Sequence, residues 1–346
     1  MLKSLKRSVL AGVKGAGLFR HSRDSRWRKD RLLILCYHSF ALDDEHRWRP
    51  ALFMTTEQLE SRLAILKNES YNVLPLGEAL ERLHARSLPP RSVVLTFDDG
   101  TYDFYKLVFP LLKKYGFPAT VYQTTYYSDL SRPVFNLVCS YMLWKRSGNV
   151  LNIGKEIGIE PSLDLRTLSG RLVVMKQILK KAAQEKFTGL QCDEFATRLA
   201  NLLEIDYQAL LDKRTLQLMN PNEIADLAKQ GVDFQLHTHR HRTPRDESLF
   251  KKEIRDNRIR LRDITGCDPV HFCYPSGVYH REFLPWLLQE NVKSATTCDV
   301  GFATFHSKPL LLPRFVDTSG TTSLEFESWL TGVGQLLSRR KSEIAD

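Results

Sequence analysis

The 346-residue chain lacks long apolar runs, closely spaced cysteine pairs and internal repeats. Because no run of about 18 apolar residues occurs, a membrane-spanning helix is excluded. No two of its six cysteines are separated by just two residues, which argues against a zinc ribbon or a thioredoxin-like motif. The composition, with 42% hydrophobic and 26% charged residues, is typical of a globular protein that folds without disulfide bonds.

The basic character of the chain is confined to its first residues. Of the net charge of +10, residues 1–31 contribute +8, from ten Lys or Arg and two Asp. The rest of the chain is nearly neutral, which argues against nucleic acid as a partner, since phosphate binding needs a basic surface. The apolar run from Ser8 to Val13 breaks at Lys14 and is too short for a secretory signal. We therefore expect a cytoplasmic protein with reduced cysteines.

Residues 1–31 are predicted to form a separate basic segment with an amphipathic pattern. On a helix, four apolar residues would share one face: Leu2, Leu5, Val9 and Val13. Helices of this kind bind at the interface of anionic membranes, so peripheral contact with such a surface is expected. The alternative is a disordered basic tail.

From Leu32 onward, short apolar strands alternate with helical patterns. The strand Ser92–Phe97, a helix over 104–115 and a strand over 119–123 form a strand–helix–strand unit. Similar strands are predicted over 32–36, 232–236, 270–274, 294–297 and 310–314. This alternation predicts an α/β fold with a parallel sheet or barrel. Residues from about 130 to 215 have mainly helical periodicity, which predicts an insertion beside the site.

Polar side chains stand where the predicted strands end. Asp98 and Asp99 follow the strand Ser92–Phe97, and His38 follows the first strand. Another strand is followed by three histidines within five residues: His237, His239 and His241. Because the carboxyl ends of parallel strands meet at one edge, where active sites form, we expect these side chains to lie together.

Each of these patterns has a purely structural alternative. Asp99-Gly100 is also an ordinary turn sequence, and the histidines also fit a solvated loop. As zinc ligands, His237 and His239 would face the same way on a strand, whereas His237 and His241 would converge if the chain curls. The spacing alone leaves both pairs open.

Three motifs in a fixed order give the chain a family resemblance. They are Thr96-Phe97-Asp98-Asp99-Gly100, His237-Thr238-x-x-His241 and Phe272-x-Tyr274-Pro275-x-Gly277. Together they resemble the polysaccharide deacetylase family, also called the NodB-homology or carbohydrate esterase 4 family. The resemblance extends from about Leu32 to Phe326, apart from the insertion. It implies a deformed (β/α) barrel of NodB-homology type over 32–333, followed by a polar tail over 334–346.

The resemblance also implies roles for individual residues. Asp98 matches the catalytic base, and the backbone N–H of Ser276 matches a donor to the oxyanion, which leaves His239 as a bystander. The residues that match the family's metal ligands are Asp99, His237 and His241. One carboxylate and two imidazoles suit zinc, and would also accept cobalt, nickel or iron.

The chain departs from the family pattern at two places. Members often carry an arginine two residues before the motif proline, where this chain has Cys273, and Arg314 is the candidate to supply a guanidinium to Asp98 instead. A C-terminal histidine motif for the general acid is also missing, and His306 lies in a polar loop. A circularly permuted branch, exemplified by poly-N-acetylglucosamine deacetylases, places that histidine at the end of the first strand. By this resemblance the general acid is His38; the alternative is a core histidine.

The expected function is removal of acetyl groups from N-acetylated sugars of a polysaccharide or glycan precursor. The same groups would also cleave an O-acetyl ester. Two alternatives stay open: a glycan-binding relative that has lost catalysis, and a metal-dependent hydrolase of another amide or ester. The sequence does not define the sugar or the oligomeric state.

Overall fold

A closed barrel of seven parallel strands forms the centre of the computed structural model, which describes residues 2–337 and the side chains of 7–336. This confirms the predicted (β/α) barrel. The strands of the described residues are β1 (Leu33–Tyr37), β2 (Ser39–Phe40), β3 (Phe53–Met54), β4 (Asn72–Val73), β5 (Ser92–Phe97), β6 (Thr120–Gln123), β7 (Val150–Leu151), β8 (Leu163–Asp164), β9 (Asp233–Leu236), β10 (His271–Cys273), β11 (Ser294–Val300) and β12 (Leu312–Val316).

The first and last strands of the barrel are neighbours. The ring runs β1, β12, β11, β10, β9, β6 and β5, and β5 closes it by pairing with β1. Leu33 lies opposite Val93 in the β1–β5 pair, and Leu35 lies opposite Phe315 in the β1–β12 pair. The carboxyl ends of β1, β5 and β12 therefore lie side by side, although the strands are far apart in sequence.

Alternate residues of the strands face two different cores. Ile34, Val94 and Leu312 share a buried cluster inside the barrel, whereas Leu33 and Val93 belong to the cluster between the barrel and its helices. This is the period of two that a strand imposes on its side chains. Two residues further along each strand, the inward side carries polar or thiol groups: Cys36, Thr96 and Arg314.

Helices surround the barrel. They are α1 (Leu2–Gly15), α2 (Leu18–Arg23), α3 (Arg26–Lys29), α4 (Glu45–Trp48), α5 (Thr56–Asn68), α6 (Leu76–His84), α7 (Phe109–Tyr115), α8 (Phe135–Lys145), α9 (Leu168–Gln184), α10 (Gly189–Leu202), α11 (Tyr207–Asp212), α12 (Pro221–Lys229), α13 (Glu247–Thr265), α14 (Phe283–Gln289), α15 (Ser323–Thr331) and α16 (Val333–Leu337), with a π-helical turn at Phe104–Val108 and 3-10 turns at Gly154–Ile157 and Pro275–Gly277. Capping boxes at Thr55 and Asn220 begin α5 and α12. In the part of the chain that is described, every helix is too short or too polar to cross a bilayer.

The predicted helical insertion packs as a unit with its own core. Helices α8 to α11 contribute a buried apolar cluster that also includes Phe53 and Leu216 from segments near the barrel. Between α8 and α9, β7 and β8 form a short antiparallel hairpin. Strands of only two residues have little periodicity, so the sequence pattern of this segment is dominated by its helices.

The N-terminal segment is helical and packs against the C-terminal helices. Leu10 is fully buried against Phe19 and Val333, and Val13 packs beside this cluster, while Val9 is exposed. The side chains of Leu2 and Leu5 lie outside the described ones, as does the predicted polar tail beyond 337. Val13, one of the four apolar residues of the predicted amphipathic face, therefore packs against the protein itself.

Candidate active site and metal centre

The chain turns sharply at the end of β5, so that the neighbouring carboxylates of Asp98 and Asp99 have different surroundings. The Asp98 N–H still donates to the Tyr37 carbonyl of β1, at 2.9 Å, as in a strand. Asp99 and Gly100 then adopt positive φ values of 70° and 75°. A Cβ on Gly100 would lie 1.9 Å from Oε1 of Gln123, so only glycine fits there. The turn leaves Asp98 nearly fully buried and Asp99 half-buried.

Asp98 is held by a bidentate ion pair with Arg314. Nη1 and Nη2 of the guanidinium lie 2.8 Å from Oδ1 and Oδ2 of the carboxylate, and Arg314 is completely buried. The thiols of Cys36 and Cys273 lie 3.5 and 3.4 Å from Oδ2. Burial alone would raise the pKa of Asp98, but the guanidinium outweighs it and holds that pKa well below its usual value. Asp98 is therefore a carboxylate at neutral pH, ready to accept a hydrogen bond or a proton.

Asp99, His237 and His241 converge as the resemblance implied. Oδ1 of Asp99 lies 3.2 Å from Nε2 of His237 and 3.1 Å from Nε2 of His241. Burial alone would raise the pKa of Asp99, but the two imidazoles outweigh it and hold that pKa well below its usual value. The same contacts outweigh the effect of burial on His237 and raise its pKa.

The tautomer of His237 suits a metal ligand. Its Nδ1 lies 2.8 Å from the Cys273 carbonyl, which can only accept, so Nδ1 carries a proton and Nε2 is the ring nitrogen left to bind a metal. A backbone carbonyl that orients a ligating histidine in this way is a common feature of zinc sites. The three ligand atoms lie within 4.8 Å of one another. The residues present therefore fit a divalent metal of the zinc type, with one carboxylate and two histidines.

The backbone of the histidine loop explains which histidines converge. Thr238 and His241 have positive φ values of 61° and 53°, so the chain curls after β9 instead of continuing as a strand. His239 points elsewhere, with Nδ1 2.8 Å from the hydroxyl of Thr125. Of the two pairs that the spacing left open, His237 and His241 therefore meet Asp99, and His237 and His239 do not.

Asn257 of α13 supports this loop, and the sequence analysis did not identify it. It is completely buried; its Oδ1 accepts from the His237 N–H at 2.9 Å, and its Nδ2 donates to the Gln123 carbonyl at 3.0 Å and the Thr125 hydroxyl at 2.9 Å. These bonds fix β9 against β6 just where the ligands begin. Its position inside an otherwise amphipathic helix was the available signal, since a polar residue on the core face of a helix needs buried partners.

His38 and Ser276 complete the wall of the site. Nε2 of His38 lies 3.8 Å from Oδ2 of Asp98, and its buried Nδ1 has no hydrogen-bond partner among the described residues. Ser276 stands in the 3-10 turn after β10 with a φ of 56°. A Cβ on the neighbouring Gly277 would lie 2.9 Å from the Sγ of Cys298, which explains the glycine of the third motif. His306, in contrast, is exposed on a distant loop.

A cavity of about 840 Å³ opens in front of these groups. One part of its wall belongs to the barrel and carries His38, Asp99, His241 and Ser276. The opposite part belongs to the insertion. This volume lies within the usual range for ligand-binding pockets. The fold and the site thus define a (β/α)-barrel protein with a metal-competent centre at the carboxyl ends of its strands.

Comparison with known proteins agrees with this class. Residues 85–152 and 202–294 match the family model described as Polysaccharide deacetylase. Over 94 residues the chain is 30% identical to the poly-beta-1,6-N-acetyl-D-glucosamine N-deacetylase of Escherichia coli strain K12, an alignment that covers 27% of this chain and 14% of that protein. The match therefore covers only a small part of this relative.

Two solved structures share the fold. The Streptococcus pyogenes deacetylase PplD in complex with acetate superposes with a TM-score of 0.55 at 20% identity, over 84% of this chain and 93% of that chain. IcaB from Ammonifex degensii gives 0.53 at 17% identity, over 88% and 98%. At this level of identity the likeness establishes the fold. Over the matched residues, and in its ordered motifs, the chain is similar to the polysaccharide deacetylase family.

Proposed function

We propose that this protein is a metal-dependent deacetylase that removes acetyl groups from N-acetylated sugars. The observation that carries the proposal is the convergence of four groups at one edge of the barrel, beside the cavity. These are an ionised, arginine-held Asp98, the Asp99–His237–His241 triad, His38 and the Ser276 turn. A protein that only binds glycans would have no need to bring all of these polar groups together at one edge of the barrel.

The triad would hold the metal, for which zinc is the first candidate. When bound, a cation of this kind supplies Lewis acidity, which polarises a carbonyl and acidifies water. Asp98 accepts a proton as water attacks the acetamide carbonyl, and Arg314 keeps both carboxylate oxygens fixed during the transfer. The arginine also keeps this base ionised despite its burial.

The remaining two groups act on the oxygen and nitrogen of the amide. The Ser276 N–H donates to the oxygen that becomes negative; one such donor typically stabilises the transition state by about 3 kcal/mol. His38, in its protonated form, donates a proton to the nitrogen as the carbon–nitrogen bond breaks. The products are acetate and a free amino sugar.

Acetate release tests the proposal. Metal-stripped and zinc-restored protein is incubated with N-acetylglucosamine oligomers, and acetate is measured for the unaltered protein and for Asp98→Asn. Asp263→Asn is the matched control, because this exposed aspartate of α13 lies outside the site. We expect zinc-dependent acetate that is lost in Asp98→Asn and kept in Asp263→Asn. Bound zinc without acetate from any N-acetylated or O-acetylated sugar would overturn the proposal and favour a binding function.

A further inference from the structure

The half of the cavity that faces the insertion is lined largely by hydrocarbon. Its wall includes apolar side chains from the insertion and adjoining segments: Phe53, Leu130, Val134, Leu137, Leu179, Phe187. Polar residues of the insertion line it as well, but Arg132 and Tyr207 both bond to Asp193 and so are already paired. We call this half the apolar chamber. Sugar units carry hydroxyl groups on almost every carbon, and enclosing these against hydrocarbon without hydrogen-bond partners is unfavourable. The apolar part of the chamber therefore offers no partners for the hydroxyl groups of a further sugar.

Part of this apolar surface is uncovered in the protein itself. Leu179 is 42% exposed, and Leu130, Val134 and Leu137 are only half-buried, although they face a concave space. The insertion has a full core of its own beneath them. A concave apolar wall with incompletely buried side chains is typical of a site for an apolar ligand.

The chamber and the catalytic groups belong to one continuous cavity. The same space is bounded by Asp99 and His241 of the barrel and by Leu179 and Phe187 of the insertion. An aliphatic chain in the chamber can therefore belong to the molecule whose amide meets the metal ligands. Because the proposed function removes an acetyl group of only two carbons, this chain would be attached to the sugar.

We infer that the substrate is an amphiphile: an N-acetylated sugar that carries an aliphatic chain, with the chain held in the apolar chamber. This inference rests on the proposed function for the sugar end and on the chamber for the chain. It assigns the insertion the role of selecting glycolipid-like substrates over internal units of a polymer.

Substrate chain length tests the inference. Zinc-loaded protein is given methyl, octyl and dodecyl N-acetylglucosaminide below their micelle-forming concentrations, and acetate release gives kcat and KM. We expect KM to fall about tenfold or more from methyl to octyl with little change in kcat, since each buried methylene adds favourable transfer free energy. Binding of the octyl compound to Asp98→Asn, measured by calorimetry, should be correspondingly tighter than that of the methyl compound.

Two substitutions in α9 provide a matched pair. Leu179→Asp places a charge on the chamber wall, whereas Leu172→Asp makes the same change at a position that is 55% exposed and does not line the cavity. Leu179→Asp should remove most of the preference for octyl over methyl, and Leu172→Asp should keep it. Val134→Phe, which fills the chamber instead of charging it, should shorten the preferred chain.

The outcomes separate the two proposals. Chain-dependent binding without acetate from any substrate would support the chamber and overturn the deacetylase function. Acetate release that is independent of chain length, or equal effects of Leu179→Asp and Leu172→Asp, would overturn the chamber and leave the function standing. Faster hydrolysis of N-octanoyl glucosamine than of N-acetyl glucosamine would also overturn the inference, since the chain would then belong to the acyl group.

Discussion

Arg314, in the last strand of the barrel, forms a bidentate pair with Asp98, which lies 216 positions earlier in the chain, and both side chains are buried. At the position where relatives often carry an arginine, this chain has Cys273, whose sulfur lies 3.1 Å from Nη2 of Arg314. The cysteine leaves the space that the guanidinium from β12 occupies. Cys273 and Arg314 are thus parts of one arrangement around the base.

Replacing Arg314 should damage both stability and activity. Arg314→Ala leaves Asp98 buried without its counter-charge, and breaking a buried ion pair from one side typically costs about 3–5 kcal/mol. We expect the free energy of unfolding, measured in urea, to fall by about this amount and acetate release to fall about a hundredfold or more.

A second substitution distinguishes two causes of lost activity in Arg314→Ala: loss of the guanidinium beside Asp98 and general damage to the barrel. In the Arg314→Ala background, Cys273→Arg returns a guanidinium from the strand where relatives carry it, and should recover part of the lost activity. Cys273→Arg alone should instead destabilise the protein, because two arginines would compete for one buried space. Failure of the double variant to exceed Arg314→Ala in activity, with both folded, would contradict the positioning role of Arg314.

The sequence predicted which residues lie at the site, but not which of their side chains contact one another. Asp98, Asp99, His38 and His237 stand at strand ends, and parallel strands bring such ends together whatever their order in the barrel. The partner of Asp98 could be named only as a candidate, because sequence patterns do not show which inward-facing side chains meet inside a ring.

The choice between His239 and His241 was beyond sequence reasoning for a different reason. It depends on positive φ values at Thr238 and His241, which are uncommon in residues other than glycine and least expected in a β-branched residue such as Thr238. The resemblance supplied the pairing instead. The apolar chamber was likewise unforeseen, since it arises from how the insertion packs over the barrel and not from any one segment.

Metal content should depend on His241 and not on His239. We expect His241→Ala to lower the bound zinc, measured by mass spectrometry after dialysis, and to abolish acetate release. His239→Ala is the matched control, because it removes an imidazole from the same loop that bonds to Thr125 instead of Asp99. Equal zinc loss in both variants would contradict the assigned triad. Chelation of the unaltered protein should give the same loss of activity, restored by zinc.

His38 should affect turnover without affecting the metal. His38→Ala removes the proton donor to the leaving nitrogen, so kcat should fall by about a hundredfold or more, within the usual range for a general acid. Zinc content should be unchanged, because the ring of His38 lies beside Asp98 and not beside the three metal-ligand candidates. His306→Ala, at an exposed histidine, should behave as the unaltered protein does. A loss of zinc in His38→Ala would point to a ligand role instead.

Asp103 should make the protein less stable as the pH rises. Burial raises the pKa of Asp103 to about 7, despite the hydrogen bond that it accepts from the Phe40 N–H. The folded protein therefore keeps a proton that the unfolded chain releases near pH 4, so this contribution to stability is full below pH 4 and is lost as the pH rises to about 7. Each pKa unit corresponds to about 1.4 kcal/mol.

The Asp103→Asn variant should lack this dependence. Its amide oxygen can still accept from Phe40, but it carries no titratable group. Urea unfolding at pH 5 and pH 8 should show a smaller decrease in stability for the variant than for the unaltered protein. Asp263→Asn, at an exposed position, should leave the decrease unchanged. Parallel pH profiles for Asp103→Asn and the unaltered protein would show that Asp103 titrates as an ordinary exposed acid.

The closure of the barrel between β1 and β12 also bears on how the protein is made. On the ribosome, β1 and β5 are available to pair early, whereas β12 emerges after more than three hundred residues. Until then β1 has an open edge, and such edges favour aggregation. During the same interval Asp98 has no guanidinium partner. Synthesis of the last strand thus covers the open edge of β1 and supplies the partner of Asp98 in a single step. A chain truncated before β12 would be both prone to aggregation and inactive.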